Sequence, residues 1–125
     1  MVASFETVLT EAVEEAGRDR IVDRTGLGTA TVEAAADGDA AGLTLEEGAS
    51  VLAVAAGRDA DTVVAEVRDH LLMGMATAVL DVDTISTAID ADLTGQEVQQ
   101  VLEGRAAMTL EQLAEIMAVI ETRKP

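Results

Sequence analysis

The chain has 125 residues, 24 Asp+Glu against 8 Lys+Arg, a formal net charge of −16, no Cys, and Phe5 as its single aromatic residue. Because 49% of it is hydrophobic, with a mean hydropathy of +0.25, it has a core to bury and is not an acidic disordered tail. The missing Cys excludes a disulfide scaffold and a thiolate zinc centre, and the charge excludes an ordinary basic nucleic-acid binder. From the N-terminus, Ser4 is placed to cap a helix with Phe5, Val8, Leu9, Ala12, Val13 and Ala16 on one face, stopped by Gly17. Asp19 starts a short segment ending at Gly26, and Thr29 starts another ending at Gly38. Thr44-Leu45-Glu46-Glu47 has the spacing of a capping box, in which hydroxyl and carboxylate satisfy each other's backbone N–H groups; its helix runs to Gly57. Asp61 opens a long helix reaching Leu80. Residues 71–80 are apolar all round, which predicts burial at the centre of the fold, with Gly74 allowing a close helix crossing. The alternative is that one face of this stretch forms a homodimer seam. Asp83 caps 84–90, Thr94 caps a helix ending at Gly104, and Thr109-Leu110-Glu111-Gln112 is a second capping box opening a helix to about Thr122.

No segment sustains the two-residue alternation of a strand, so the class is all-α with about eight short helices. A weak internal repeat is visible. Leu27, Val32, Gly38 and the Thr44 box echo Leu93, Val98, Gly104 and the Thr109 box, at an offset of about 66 residues, which exceeds the short solenoid periods. The expected organisation is one fused domain over 1–125: unit one at 3–60, a shared central helix at 61–80, and unit two at 83–122.

The charge carries information about solvent. Sixteen unbalanced negative charges repel one another in dilute salt and weaken the compact state. In molar salt the Debye length falls to about 3 Å and that repulsion is screened. Carboxylates keep such a surface hydrated, whereas long Lys stems expose apolar area; of the eight cations only Lys124 is Lys. The composition resembles that of haloarchaeal cytoplasmic proteins. An acidic mesophilic protein with a basic partner is the alternative. The first ten residues show no basic region followed by an apolar run, and 71–80 is about half the length of a membrane span. A cytoplasmic location without a membrane partner is therefore expected.

Ile21-Val22-Asp23-Arg24-Thr25-Gly26-Leu27-Gly28 and the following segment to Gly38, with Val32 as its apolar anchor, resemble the helix-turn-helix of the lambda-repressor-like (Cro/C1-type) family. Gly26 suits a turn conformation that is costly for a residue with a Cβ. In the second copy, Leu93-Thr94-Gly95-Gln96-Glu97-Val98-Gln99-Gln100-Val101-Leu102-Glu103-Gly104-Arg105 is similar to phage-repressor recognition helices, although Asp92 sits where that turn usually has Gly. The resemblance covers 19–57 and 85–122. The chain as a whole is also similar to a haloarchaeal family of unknown function. The resemblance implies double-stranded DNA, met at high salt, as a partner. Recognition helices read bases with Arg, Lys, Asn or Gln and hold phosphates with cations. The first copy offers only Thr29, Ala30, Thr31, Glu33 and Ala34 outward, so its segment is expected to pack rather than read. The second offers Thr94, Gln96, Gln99 and Gln100, with Arg105 within reach of a phosphate, against Glu97 and Glu103. These five residues are the expected DNA site.

Other constellations read as structural. The pairs Asp37/Asp39, Asp59/Asp61, Asp81/Asp83 and Asp90/Asp92 fall at helix boundaries, where Asp caps, and none continues into an EF-hand loop. No metal, cofactor or small-molecule substrate is expected. His70 stands alone in mid-helix, and Ser4, Ser50 and Ser86 fall on capping or helical positions, so no nucleophile, base and oxyanion set is assembled and no enzyme is expected. The expectation is a non-enzymatic, transcription-regulatory DNA-binding protein. The alternative is a protein-interaction module, with a protein partner or a second copy, that kept the repressor-like fold without DNA contact.

Overall fold

A computed structural model describes residues 5–90 and 92–123, with side chains from residue 7 onward. The expected Ser4 cap and the packing of Phe5 lie outside the described residues. Within them the chain forms eight α-helices and no strand: α1 (Phe5–Ala16), α2 (Arg18–Thr25), α3 (Thr29–Ala36), α4 (Leu45–Ala56), α5 (Ala60–Ala78), α6 (Val82–Ala88), α7 (Gly95–Glu103) and α8 (Leu110–Arg123). A single 3₁₀ turn, Ala40–Gly42, sits between α3 and α4.

The helix starts follow side-chain chemistry. Thr44 accepts from the Glu47 N–H at 3.1 Å while the Glu47 carboxylate accepts from the Thr44 N–H at 2.9 Å, so the capping box is closed. Thr94 with Glu97, and Thr109 with Gln112, close in the same way. Three expected starts are corrected. α2 begins on Gly17 with no side-chain cap, and Asp19 lies in its first turn. α5 is capped by Asp59 rather than Asp61, and α6 by Asp81 rather than Asp83. In both cases the carboxylate takes the N–H and the hydroxyl of the Thr three residues on, Thr62 or Thr84. An N-cap oxygen reaches the N–H of the second or third helical residue, and in both Asp-x-Asp-Thr segments it is the first Asp that stands so placed to the Thr. At Gly26 the backbone is left-handed, φ +74°, with open space where a Cβ would point; the glycine is required by its dihedral and not by crowding.

α1 packs on α3 and α4, and α5 packs on α7 and α8, so α5 opens the second group of four helices as α1 opens the first. α5 also lies along α4, and the buried side chains of both groups form one continuous cluster. Leu9, Ile21, Val32, Leu45 and Val51 fill it from the first group, and Leu71, Ile85, Val98, Leu113 and Ile116 from the second. The two capping boxes meet. Leu45 N–H donates to the Met108 carbonyl at 2.8 Å and Leu110 N–H donates to the Leu43 carbonyl at 2.8 Å, an antiparallel bridge between Thr44 and Thr109. Each bond satisfies an N–H at the start of α4 or α8 that has no partner within its own helix.

The stretch 71–80 is not buried all round. Leu71, Gly74 and Met75 face the core, while Leu72 and Met73 are exposed, Met73 at 65%. Burial between α4 and α8 uses one stripe of the helix, and the 100° advance per residue turns 72 and 73 outward. Gly74 does mark a close crossing: a Cβ there would stand 2.7 Å from Ile120 Cγ2 of α8. α5 ends on Val79, which is left-handed at φ +56° and 89% exposed. Among the described residues no single helix is long and apolar enough to cross a membrane.

Candidate nucleic-acid interface

α7 is anchored from behind. Val98, Val101 and Leu102 are buried, and the left-handed Gly104, φ +80°, ends the helix. Helical spacing then turns Gln96 and Gln99 outward, both exposed, with Gln100 half-buried at the edge of the same face. The side-chain amides of Gln96 and Gln99 form no hydrogen bond among the described residues, so their donors and acceptor are available. A Gln amide matches the N6/N7 edge of adenine in the major groove. The structure thus brings three of the five expected site residues to one side.

The other two are already engaged. The Thr94 hydroxyl accepts from the Glu97 N–H at 3.2 Å as the helix cap. The Arg105 guanidinium pairs with the Glu103 carboxylate, both solvent-exposed. Exposed pairs of this kind contribute little to stability and exchange freely. Arg68 of α5 lies beside Gly104, where an added Cβ would meet its guanidinium carbon at 3.2 Å, and it pairs with Glu46 at 3.0 Å. A cation there suits the negative end of α7. The edge of α7 therefore carries two carboxylates, Glu97 and Glu103, and no cation free of a carboxylate.

α3, the corresponding helix of the first group, buries Val32 and Ala35 and exposes Thr29, Ala30 and Glu33, with no amide or cation. Its neighbour α2 differs. Arg18, Arg20 and Arg24 all project from this eight-residue helix, and Ile21 is its buried anchor. Arg18 reaches Asp37 at 3.5 Å, whereas Arg20 and Arg24 make no ion pair among the described residues. The reading by recognition segment alone passed over these cations. The signal was the i, i+4 spacing of Arg20 and Arg24 in a chain with only eight cations.

The remaining candidates are spread out. His70 is exposed on α5. The Ser50 and Ser86 hydroxyls donate to the backbone carbonyls of Glu46 and Leu93 at 3.0 and 2.5 Å. No group of three His, Asp or Glu side chains among the described residues is close enough to hold a metal ion. No curated protein and no solved structure matches the chain. Residues 1–123 match a profile described as "Family of unknown function (DUF5791)", and the chain belongs to that family.

Proposed function

We propose that the protein is a non-enzymatic DNA-binding protein of the transcription-regulatory kind, working in a saline cytoplasm and reading duplex DNA with α7. The observation carrying this reading is the outward row of Gln96 and Gln99, edged by Gln100, on a short helix fixed from behind by Val98, Val101 and Leu102. The reading is supported by chain order: α6 and α7 are two short consecutive helices, and so are α2 and α3. The acidic composition supports a salt-rich setting, where counterion release adds little and base contacts, shape and hydration decide binding. An anisotropy titration in ~2–3 M KCl is the test. Sequence-selective binding that disappears in Gln96→Ala/Gln99→Ala supports the reading, and indifference to sequence overturns it.

The second reading is a protein-interaction module. It is favoured by Glu97 and Glu103 on the α7 edge, by the engagement of Arg105 with Glu103, and by the exposed Leu72 and Met73 on α5. Under it, alanine at Gln96, Gln99 and Gln100 leaves capture of a protein partner or a second copy unchanged.

A further inference from the structure

Nineteen residues separate the end of α2 from the start of α4, and the far end of α4 comes to rest against α2. Between them lies an open groove of about 540 Å³. Arg20 and Arg24 form one wall, Arg58 closes the end, and Ser50, Val54 and Gly57 line the floor; no Asp or Glu lines it. In a chain with 24 carboxylates and 8 cations, three arginines around a groove without a carboxylate form a local reversal of charge. Arg20 and Arg24 stand four residues apart on a helix, about 6 Å along its axis, so their guanidinium groups share one side. Neither is neutralised within the described residues. Arg58 spends one donor on Glu66, at 2.5 Å, and keeps others. Acidic side chains do stand nearby: Asp19, Asp23 and Glu33 line the adjoining α2–α3 face, which Arg18, Arg20 and Arg24 line as well, so the groove on the α4 side is the one without a carboxylate.

Guanidinium forks pair with phosphate in a planar, bidentate geometry that Lys does not offer. We propose that the α2–α4 groove is a second nucleic-acid contact, in which Arg20 and Arg24 hold backbone phosphates without reading sequence. This inference rests on the DNA reading above and assigns the anchoring cations to the first four-helix unit, apart from the amides of α7. Charge complementarity selects a polyanion, and the planar guanidinium forks of Arg20 and Arg24 suit its phosphate oxygens.

The test uses the full chain and a labelled random-sequence duplex, titrated across ~1–3 M KCl, with helix content followed by circular dichroism. Each phosphate contact contributes about −0.9 to the slope of log K against log salt. Arg20→Ala/Arg24→Ala is expected to bind more weakly and to flatten that slope by about two. Arg123→Ala/Lys124→Ala, which removes the same charge elsewhere, should leave both unchanged. Wild-type affinity and slope in Arg20→Ala/Arg24→Ala overturn the inference; if the glutamine variant alone then loses binding, the DNA reading stands without it. Loss of sequence selectivity as a property of the wild type, with the arginine effect intact, removes the α7 reading and keeps the groove. Arginine-dependent binding of inorganic polyphosphate without binding of duplex overturns the nucleic-acid assignment, as does arginine-dependent self-association in light scattering without duplex binding. Absence of any duplex binding overturns both.

Discussion

The two four-helix groups use the same packing plan and place different chemistry on it. In the first, α2 carries three arginines and α3 exposes only Thr, Ala and Glu. In the second, α6 carries no cation and α7 exposes glutamines. Their buried positions correspond: Val32 with Val98, Leu45 with Leu110, and the Thr44 cap with the Thr109 cap. Packing is thus alike in the two groups, while the exposed residues differ, cations on one side and amides on the other. A shared packing plan fixes what each core requires and leaves free what solvent sees, because surface substitutions cost little.

The largest expected effect tests the correspondence itself. Leu45 and Leu110 are both buried, at the first positions of α4 and α8 where the two capping boxes bridge. Leu45→Ala and Leu110→Ala should each cost about 2–5 kcal/mol in denaturant unfolding at high salt, through one cooperative transition. Separate transitions for the two variants would break the picture of a shared core. Next is Gly74→Ala, where the new methyl would stand 2.7 Å from Ile120 Cγ2. Alanine favours the helix by about 1 kcal/mol, but overpacking costs about 1–3 kcal/mol, so the lower midpoint expected from thermal melts tests the α5–α8 crossing. Val79→Gly works the other way. The left-handed Val79 is almost fully exposed, so glycine relieves about 1 kcal/mol of backbone strain with little loss of burial, and the midpoint should rise.

The smallest effect separates the units by pH. The backbone N–H of Thr84, and then its hydroxyl, hold the Asp81 carboxyl below its ordinary value. A lowered folded-state pKa gives stability that is complete above the unfolded value and is lost as pH falls through the folded one. α2, the counterpart of α6, starts on Gly17 and has no such carboxylate. Amide hydrogen exchange in acid should therefore show α6 loosening before α2. Asp81→Asn, which still caps but does not titrate, should remove the difference.

Much of this was legible in the chain because local chemistry decides it. The two Thr-opened boxes, the Thr94 cap and the glycine stops place the helices without reference to tertiary contacts, and Val98 and Val101 follow from helical spacing; that Glu97 closes a third box was not read from the chain. Which aspartate caps α5 and α6 was also local, but it turned on Thr62 and Thr84 rather than on the pairing of aspartates. The exposure of Leu72 and Met73 was not legible, because it depends on which stripe of α5 meets α4 and α8. The same holds for the arginine groove, since Arg58 joins Arg20 and Arg24 only after α4 has folded back along α2.

Selection from a randomised duplex pool in ~2–3 M KCl, followed by anisotropy titration of the chosen and a scrambled sequence, tests the central claim most directly. The account predicts a preference of about tenfold or more for the chosen sequence, within the range of one good bidentate amide–base contact, and its loss in Gln96→Ala/Gln99→Ala. Equal affinity for both sequences, or a preference that survives the double substitution, would contradict it.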